Sequence, residues 1–129
     1  MDGTAPTYGA PRAAQLAGIS YRQLDYWTRA GAVAAEVHAA GSGSRRRFSE
    51  HQVCILRALG DLAALRADTA LLRGVSRSLS ACPLSEWDGM AYVDSDGWLG
   101  REPRRGTWVL DLADCRRAVA DRIREPVAA

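Results

Sequence analysis

Lysine is absent from this 129-residue sequence, and all seventeen basic residues are arginine. A GC-rich genome accounts for that bias, but its chemical consequence remains. The planar guanidinium forms paired hydrogen bonds with phosphates and with guanine edges. The net charge of +2 does not by itself indicate a nucleic-acid ligand. Its distribution says more, because residues 1–60 hold seven arginines against four acidic residues, whereas residues 61–129 hold ten against eleven.

Cysteine and long apolar runs are scarce. Cys54, Cys82 and Cys115 stand alone, with no C-x-x-C pair and no histidine at ligand spacing. They predict reduced thiols and no metal site. No apolar stretch approaches the ~18 residues that span a bilayer, and no basic start followed by an apolar run indicates a signal peptide. We therefore expect a cytoplasmic protein without membrane contact.

Catalytic patterns are also missing. The sequence shows no paired carboxylates, no nucleophile–histidine arrangement and no phosphate-cradling glycine loop. The glycine–serine run at 41–44 lacks the lysine and the strand–loop–helix setting of a nucleotide loop. Asp94, Asp96 and Gly97 resemble part of a calcium loop whose distal glutamate is absent. The sequence thus predicts no enzyme, no cofactor and no metal.

The first thirty residues instead predict two short helices. Residues 1–10 have no periodicity and are expected to form a loose arm. A helix follows Pro11 and ends at Gly18, and Ser20 is a suitable N-cap for a second helix, residues 20–30. Its inward stripe is Leu24 and Trp27. Two helices joined by a tight glycine turn form a helix-turn-helix, and the outward residues of the second are Tyr21, Arg22, Asp25, Tyr26 and Arg29.

The rest of the chain alternates strand and helix signals. Residues 33–40 and 45–48 flank the 41–44 turn as a hairpin, or wing, with arginines on its return strand. Ser49 caps a third helix to about residue 61, and a further helix is expected around 63–79. Strand signals at 90–99 and 107–110 precede a helix over 111–124. The predicted fold class is α+β: a winged helix-turn-helix domain over 11–80, then a small hairpin, strand and helix segment over 84–125.

Two stretches carry a family resemblance. Residues 14–31, AQLAGISYRQLDYWTRAG, resemble the opening signature of MerR-type regulators, and residues 46–50, RRFSE, resemble the signature that leads from wing to third helix. Their spacing agrees with that family, and the resemblance covers about residues 11–75. Phage excisionases use a related module, so the resemblance is more specific for fold than for function.

The resemblance implies a role for each position. Helix 20–30 would enter the major groove, where Tyr21, Arg22 and Asp25 reach bases and Arg22 is the best candidate for a bidentate guanine contact. Gln23 would lie near phosphates or bases. The wing, residues 33–48, would hold the neighbouring backbone or minor groove. The further backbone or wing candidates are Arg12, Tyr26, Arg29, Arg45, Arg46 and Arg47.

Structural alternatives stand beside these roles. Arg47 also suits an arginine that ties the wing to a helix, and Arg22 a solvated helix residue. The tryptophan-rich segment 84–124 resembles the compact tail of some actinobacterial members of the family. Its aromatics suit either a dimer or partner surface or a very small core. The sequence also departs from the family pattern, because residues 61–68 lack the usual glycine and no long dimerising coiled coil follows.

Three functions remain open from sequence. The leading one is a transcriptional regulator that binds a palindromic double-stranded DNA site as a homodimer through the C-terminal segment. The second is an excisionase or architectural protein that bends DNA through the same contacts. The third is a protein- or small-ligand-binding module acting through residues 84–124.

Overall fold

The computed structural model describes residues 5–35, 37–39 and 42–125. For residues 37–39 and 42–45 it describes the backbone alone. Within these ranges the chain forms helices and two small antiparallel sheets, which confirms the α+β class. The helices are α1 (Ala10–Ala17), α2 (Tyr21–Arg29), α3 (Glu50–Ala64), α4 (Thr69–Ser80) and α5 (Leu112–Arg124). The strands are β1 (Thr7–Gly9), β2 (Val37–Ala39), β3 (Ser42–Ser49), β4 (Met90–Val93), β5 (Leu99–Gly100) and β6 (Trp108–Asp111).

Local capping defines the turn between α1 and α2. Gly18 ends α1 in the left-handed region at φ 77°, a conformation that side chains with a Cβ rarely adopt. Ser20 and Gln23 then form a capping box: Gln23 N donates to Ser20 Oγ at 3.0 Å, and Ser20 N donates to Gln23 Oε1 at 3.1 Å. The predicted helix-turn-helix is therefore present. Its first helix begins at Ala10, earlier than the expected start after Pro11, and its second helix lies within the expected residues 20–30.

The first sheet has the order β1–β3–β2, with β3 in the centre. The expected loose arm is wrong at residues 7–10, because Thr7 pairs with Ser49 and Gly9 with Arg47, and Ala10 begins α1. Three residues are too few to show strand periodicity, and the pairing partners lie some forty positions later. The arm's residues 1–4 lie outside the described part of the chain.

The hairpin also differs from its prediction. β3 begins at Ser42, so three residues assigned to the 41–44 turn belong to the strand. β2 spans only Val37–Ala39 of the expected 33–40, and its register against β3 shifts between those two residues. Pairing of Ala39 with Ser42 extends β3 into a glycine–serine run that local propensity assigns to a turn. Residues 36, 40 and 41 lie outside the described ranges.

The third and fourth helices are separated by a break that the sequence did not reveal. Ser49 and Gln52 form a second capping box, and α3 continues three residues beyond the expected end at Asp61. The expected helix over 63–79 is corrected at its start, because Arg66 adopts φ 69° and Asp68 then caps α4. A left-handed arginine thus ends the helix where glycine is more usual.

Replacing Arg66 with glycine is expected to stabilise the fold. The left-handed conformation costs a residue with a Cβ about 1–2 kcal/mol more than it costs glycine, whereas glycine loses about 0.5–1 kcal/mol more in chain entropy on folding. We expect a gain of about 0.5–1 kcal/mol in the free energy of unfolding, measured by urea denaturation. An Arg66→Ala variant keeps the Cβ and should not gain. Equal stabilities of the two variants would contradict a strained Arg66.

The C-terminal segment contributes to the same core as the helix-turn-helix. The second sheet has the order β5–β4–β6, and α5 packs against α3 and α1. Trp87 is 1% exposed, as expected of a core residue, whereas Trp98 is 70% exposed, as expected of a surface residue. Each of the two alternatives for the tryptophans thus fits a different residue. The segment's buried side chains join one continuous apolar cluster with those of α1 to α4: Trp87, Ala91, Val93, Leu110, Leu112, Cys115 and Val119.

Candidate nucleic-acid interface

Helix α2 buries one face and exposes the other. Leu24 and Trp27 are 0% and 4% exposed, as the spacing predicts. On the opposite face, Tyr21 and Tyr26 are 48% and 56% exposed, Arg22 is exposed, and the Arg29 side chain is 78% exposed. Exposed aromatic side chains grouped on one helix face mark an interaction surface, so this face is the candidate interface.

Asp25 lies at the edge of this face and links α2 to the wing. Its Oδ1 accepts a hydrogen bond from Arg46 Nη2 at 2.9 Å, and its Oδ2 lies 3.0 Å from Arg29 Nε. The Arg46 side chain is only 10% exposed, against 27% for Asp25. A residue predicted to reach bases therefore holds two arginines, one on its own helix and one on β3.

The Asp25 carboxyl titrates below its ordinary range. The hydrogen bond from Arg46 holds the pKa below its usual 3.8, and the nearby Arg29 charge acts in the same direction while desolvation opposes both. A lowered folded-state pKa contributes stability at pH values above the unfolded value, and that contribution is lost as pH falls through the folded value.

An Asp25→Asn variant should therefore be less stable than the wild type only where Asp25 is ionised. We expect its melting temperature to lie below that of the wild type at pH 7. The gap should shrink as the pH falls below 3.8 and close once the pH has passed the lower folded-state pKa, where wild-type Asp25 takes up its proton. Thermal denaturation followed by circular dichroism between pH 2.5 and pH 7 measures the difference. A gap that persists unchanged through this range would show that Asp25 acts through packing rather than charge.

Three further predicted residues make contacts within the chain. Arg12 donates from Nη1 to Gln15 Oε1 at 2.7 Å and from Nη2 to the Arg122 carbonyl at 3.4 Å. The Oε1 of Gln23 is taken by the Ser20 cap. Arg47 donates to the carbonyl of Thr7 at 2.7 Å and to its Oγ1 at 3.1 Å. Arg47 therefore ties the wing to β1, and not to a helix as the sequence suggested. The side chain of Arg45 lies outside the described residues.

Two arginines near the helix-turn-helix were not singled out from sequence. Arg122 of α5 donates from Nη1 to the carbonyls of Gln15 and Leu16, at 3.2 Å each, and so caps the C-terminal end of α1. Arg57 of α3 lies beside Gly18. No local signal could have found them, because Arg122 is more than a hundred positions away from its partners.

Two of the three cysteines, Cys54 and Cys115, are buried free thiols. Burial raises the pKa of the Cys54 thiol to about 12. Burial, followed by the neighbouring Asp61 carboxylate, raises the pKa of Cys115 further. Both thiols stay protonated at neutral pH, where a thiolate would be needed for metal binding or oxidation. The described ranges hold no group of three or more potential metal ligands, and none of their helices is long and apolar enough to cross a membrane.

Comparisons with known proteins agree with this geometry. The sequence model of the MerR HTH family of regulatory proteins matches residues 10–73. Over 51 residues the chain is 49% identical to proteins named uncharacterized HTH-type transcriptional regulator, from Mycobacterium bovis and from two strains of Mycobacterium tuberculosis. The alignment covers 39% of this chain and 23% of each relative. The chain thus matches about a quarter of the length of these relatives.

Proposed function

Because the chain belongs to the MerR HTH family of regulatory proteins through residues 10–73, we propose that it regulates transcription by binding a specific double-stranded DNA sequence. The observation that carries the proposal is the exposed face of α2 beside an arginine-bearing strand. This face presents aromatic rings and guanidinium groups together, a combination that suits bases and phosphates in a major groove.

The exposed residues of α2 differ in whether contacts within the chain already occupy their side chains. Arg22 makes no hydrogen bond or ion pair with any described residue, so its guanidinium is available for a guanine edge. Tyr21, at the first turn of the helix, is the second base-contact candidate. Tyr26 and Arg29 lie on the same exposed face and suit phosphates. Asp25 can accept a hydrogen bond from a base only by giving up an arginine, so its first role is to hold Arg46 and Arg29.

The wing extends this surface beyond the helix. β3 follows α2 in sequence and is joined to it by the Asp25–Arg46 hydrogen bond, while Arg47 fastens the same strand to β1. A strand held on both sides keeps a fixed position relative to α2. We assign Arg45 and Arg47 to the DNA backbone or minor groove next to the recognition helix. Arg46, predicted for the same role, is only 10% exposed, and we assign it to holding the wing against α2.

The C-terminal segment is the proposed site of homodimerisation. One helix-turn-helix reads few base pairs, and a two-fold pair reads a palindrome with about one helical turn between half-sites. The outer face of the second sheet exposes Met90 at 41% and Val109 at 46%. Trp98 lines a small cleft with Tyr92, the residue opposite Val109 in the sheet. The same apolar exposure also favours the second candidate function, a surface for another protein partner.

Salt dependence of binding tests the proposal. A labelled duplex of mixed sequence should bind with an affinity that falls linearly with salt on logarithmic axes, because each phosphate contact releases a counterion. With five to six such contacts, the loss between 50 and 200 mM salt should be about a thousandfold. Fluorescence anisotropy measures it. Failure of the wild-type protein to bind the duplex even at the lowest salt would contradict the proposed function and favour a protein-binding module.

A further inference from the structure

A cleft of about 420 Å³ opens between the α1–α2 turn and the second half of α3. The polar and charged side chains that line it are Arg57, Gln23 and Asp61. Its other lining residues are small or apolar residues of the turn and of α3. A second cleft of about 340 Å³ shares Gly18 and Ile19 with it. The charged side chains that line this second cleft are Arg12, Arg122 and Glu125. Three guanidinium groups and two carboxylates thus line the two clefts.

Arg57 has hydrogen-bonding capacity that the fold does not use. Its Nε is fully buried without a hydrogen-bond partner, and the Asp61 carboxylate lies 3.6 Å away. Neither of its Nη atoms donates a hydrogen bond within the described part of the chain. The side chain is 23% exposed, so the guanidinium edge is reachable from the cleft while its stem is fixed. A largely buried guanidinium group whose N–H donors have no partner favours the binding of an anion.

The neighbouring groups favour the same ligand. Arg57 Nη1 and Arg122 Nη1 both lie within 3.3 Å of the point that a Cβ on Gly18 would occupy. Two cations this close repel each other, and an anion between or beside them relieves that repulsion. Gln23 gives its Oε1 to the Ser20 cap, which leaves its amide NH₂ as a donor at the cleft wall.

The position of the cleft identifies the source of that anion. Gln23 and Asp25 are two residues apart on α2 and so lie about 200° apart around its axis. Asp25 faces the wing, so the cleft lies on the opposite flank of the helix. A helix in a major groove is bordered by sugar–phosphate backbone on both sides. With the wing against one backbone, as proposed, the cleft is placed for the other.

From this geometry we propose that the cleft between the α1–α2 turn and α3 is a phosphate site. Arg57 is its principal cation and Gln23 its second donor, and a DNA backbone phosphate on the flank opposite the wing is its source. The proposal rests on the proposed function for that source. The same chemistry would accept a free phosphate or a phosphorylated small molecule, which the test separates.

The test compares three charge variants. Arg57→Gln removes the proposed cation, Asp61→Asn keeps it and removes the competing carboxylate, and Arg117→Gln is the control. Arg117 is an exposed arginine of α5 paired with Asp114 at 3.1 Å, outside both clefts. On mixed-sequence duplex, Arg57→Gln should bind about fivefold to tenfold more weakly, with a salt slope lower by about one. Asp61→Asn should bind about twofold to fivefold more tightly.

A second arm uses inorganic phosphate and pyrophosphate without DNA. If a small phosphate is also a ligand, pyrophosphate should raise the melting temperature of the wild type and of Arg117→Gln, but not that of Arg57→Gln. Loss of binding in Arg57→Gln in either arm, with both variants folded by circular dichroism, supports the site and identifies its source. If Arg57→Gln matches Arg117→Gln in both arms, the site is wrong. A wild type that binds no duplex refutes the proposed function separately, and the pyrophosphate arm then decides the site alone.

Discussion

Replacing Trp87 with alanine is expected to lower the free energy of unfolding by about 3–5 kcal/mol, the largest effect that we predict for any single residue. The indole is 1% exposed, and its Nε1 donates to the Cys82 carbonyl at 3.0 Å. Its ring meets the His51 ring edge-on, with centroids 5.9 Å apart. His51 in turn contacts the carbonyl of Leu79 through Nε2 at 3.0 Å. Removing the ring opens a cavity where α3, α4 and the C-terminal segment meet.

The measurement is urea denaturation followed by circular dichroism, with Trp98→Ala as the matched control. Trp98 is 70% exposed, so its loss should change stability by less than about 0.5 kcal/mol. The Trp87→Ala transition should also remain single, because the segment and the helix-turn-helix share one core. Two separate unfolding transitions in the circular dichroism signal would show that residues 84–125 fold independently of the rest.

Replacing Arg22 with alanine is expected to remove discrimination at particular base pairs. A bidentate arginine–guanine contact is worth about 1–3 kcal/mol against the wrong base, which corresponds to a factor of about 5–150 in relative affinity. Arg22 is the exposed arginine of α2 that no described carboxylate holds, whereas Arg29 is paired with Asp25. The loss should therefore fall on specificity.

Arg29→Ala serves as the comparison for Arg22→Ala. A phosphate contact carries no sequence information, so its removal should weaken binding to all duplexes by a similar factor and reduce the salt slope. Competition assays against single-base variants of a selected site separate the two patterns. A uniform loss in Arg22→Ala, with the ranking of sites unchanged, would place Arg22 on the backbone instead of on a base.

The parts of the fold that were predictable from sequence are the ones defined by local chemistry. Ser20 and Ser49 start helices because a side-chain oxygen can accept a hydrogen bond from a backbone N–H of the first turn. Gly18 ends one because only glycine adopts its φ readily. The spacing of Leu24 and Trp27 then orients α2, and with it the exposed residues of the candidate interface. All of these signals act within four residues.

The features that escaped prediction depend on residues far apart in the chain. β1 forms because Thr7 meets Ser49 and Arg47, forty positions later. The Asp25–Arg46 pair spans twenty-one positions, and its formation turns a base-contact candidate toward the wing. Arg66 shows a different limit, since packing of α3 and α4 imposes a conformation that its own side chain disfavours. Sequence periodicity contains none of this information.

The most direct test of the account is selection of DNA from a random-sequence duplex pool by the wild-type protein at two salt concentrations. The account predicts enrichment of a defined, palindromic sequence at the higher salt, where non-specific phosphate contacts are weakened and base contacts decide the ranking. Recovery of an unenriched pool at the higher salt, after binding at the lower one, would contradict sequence-specific recognition by α2. The remaining binding would then be the backbone contact of an architectural protein.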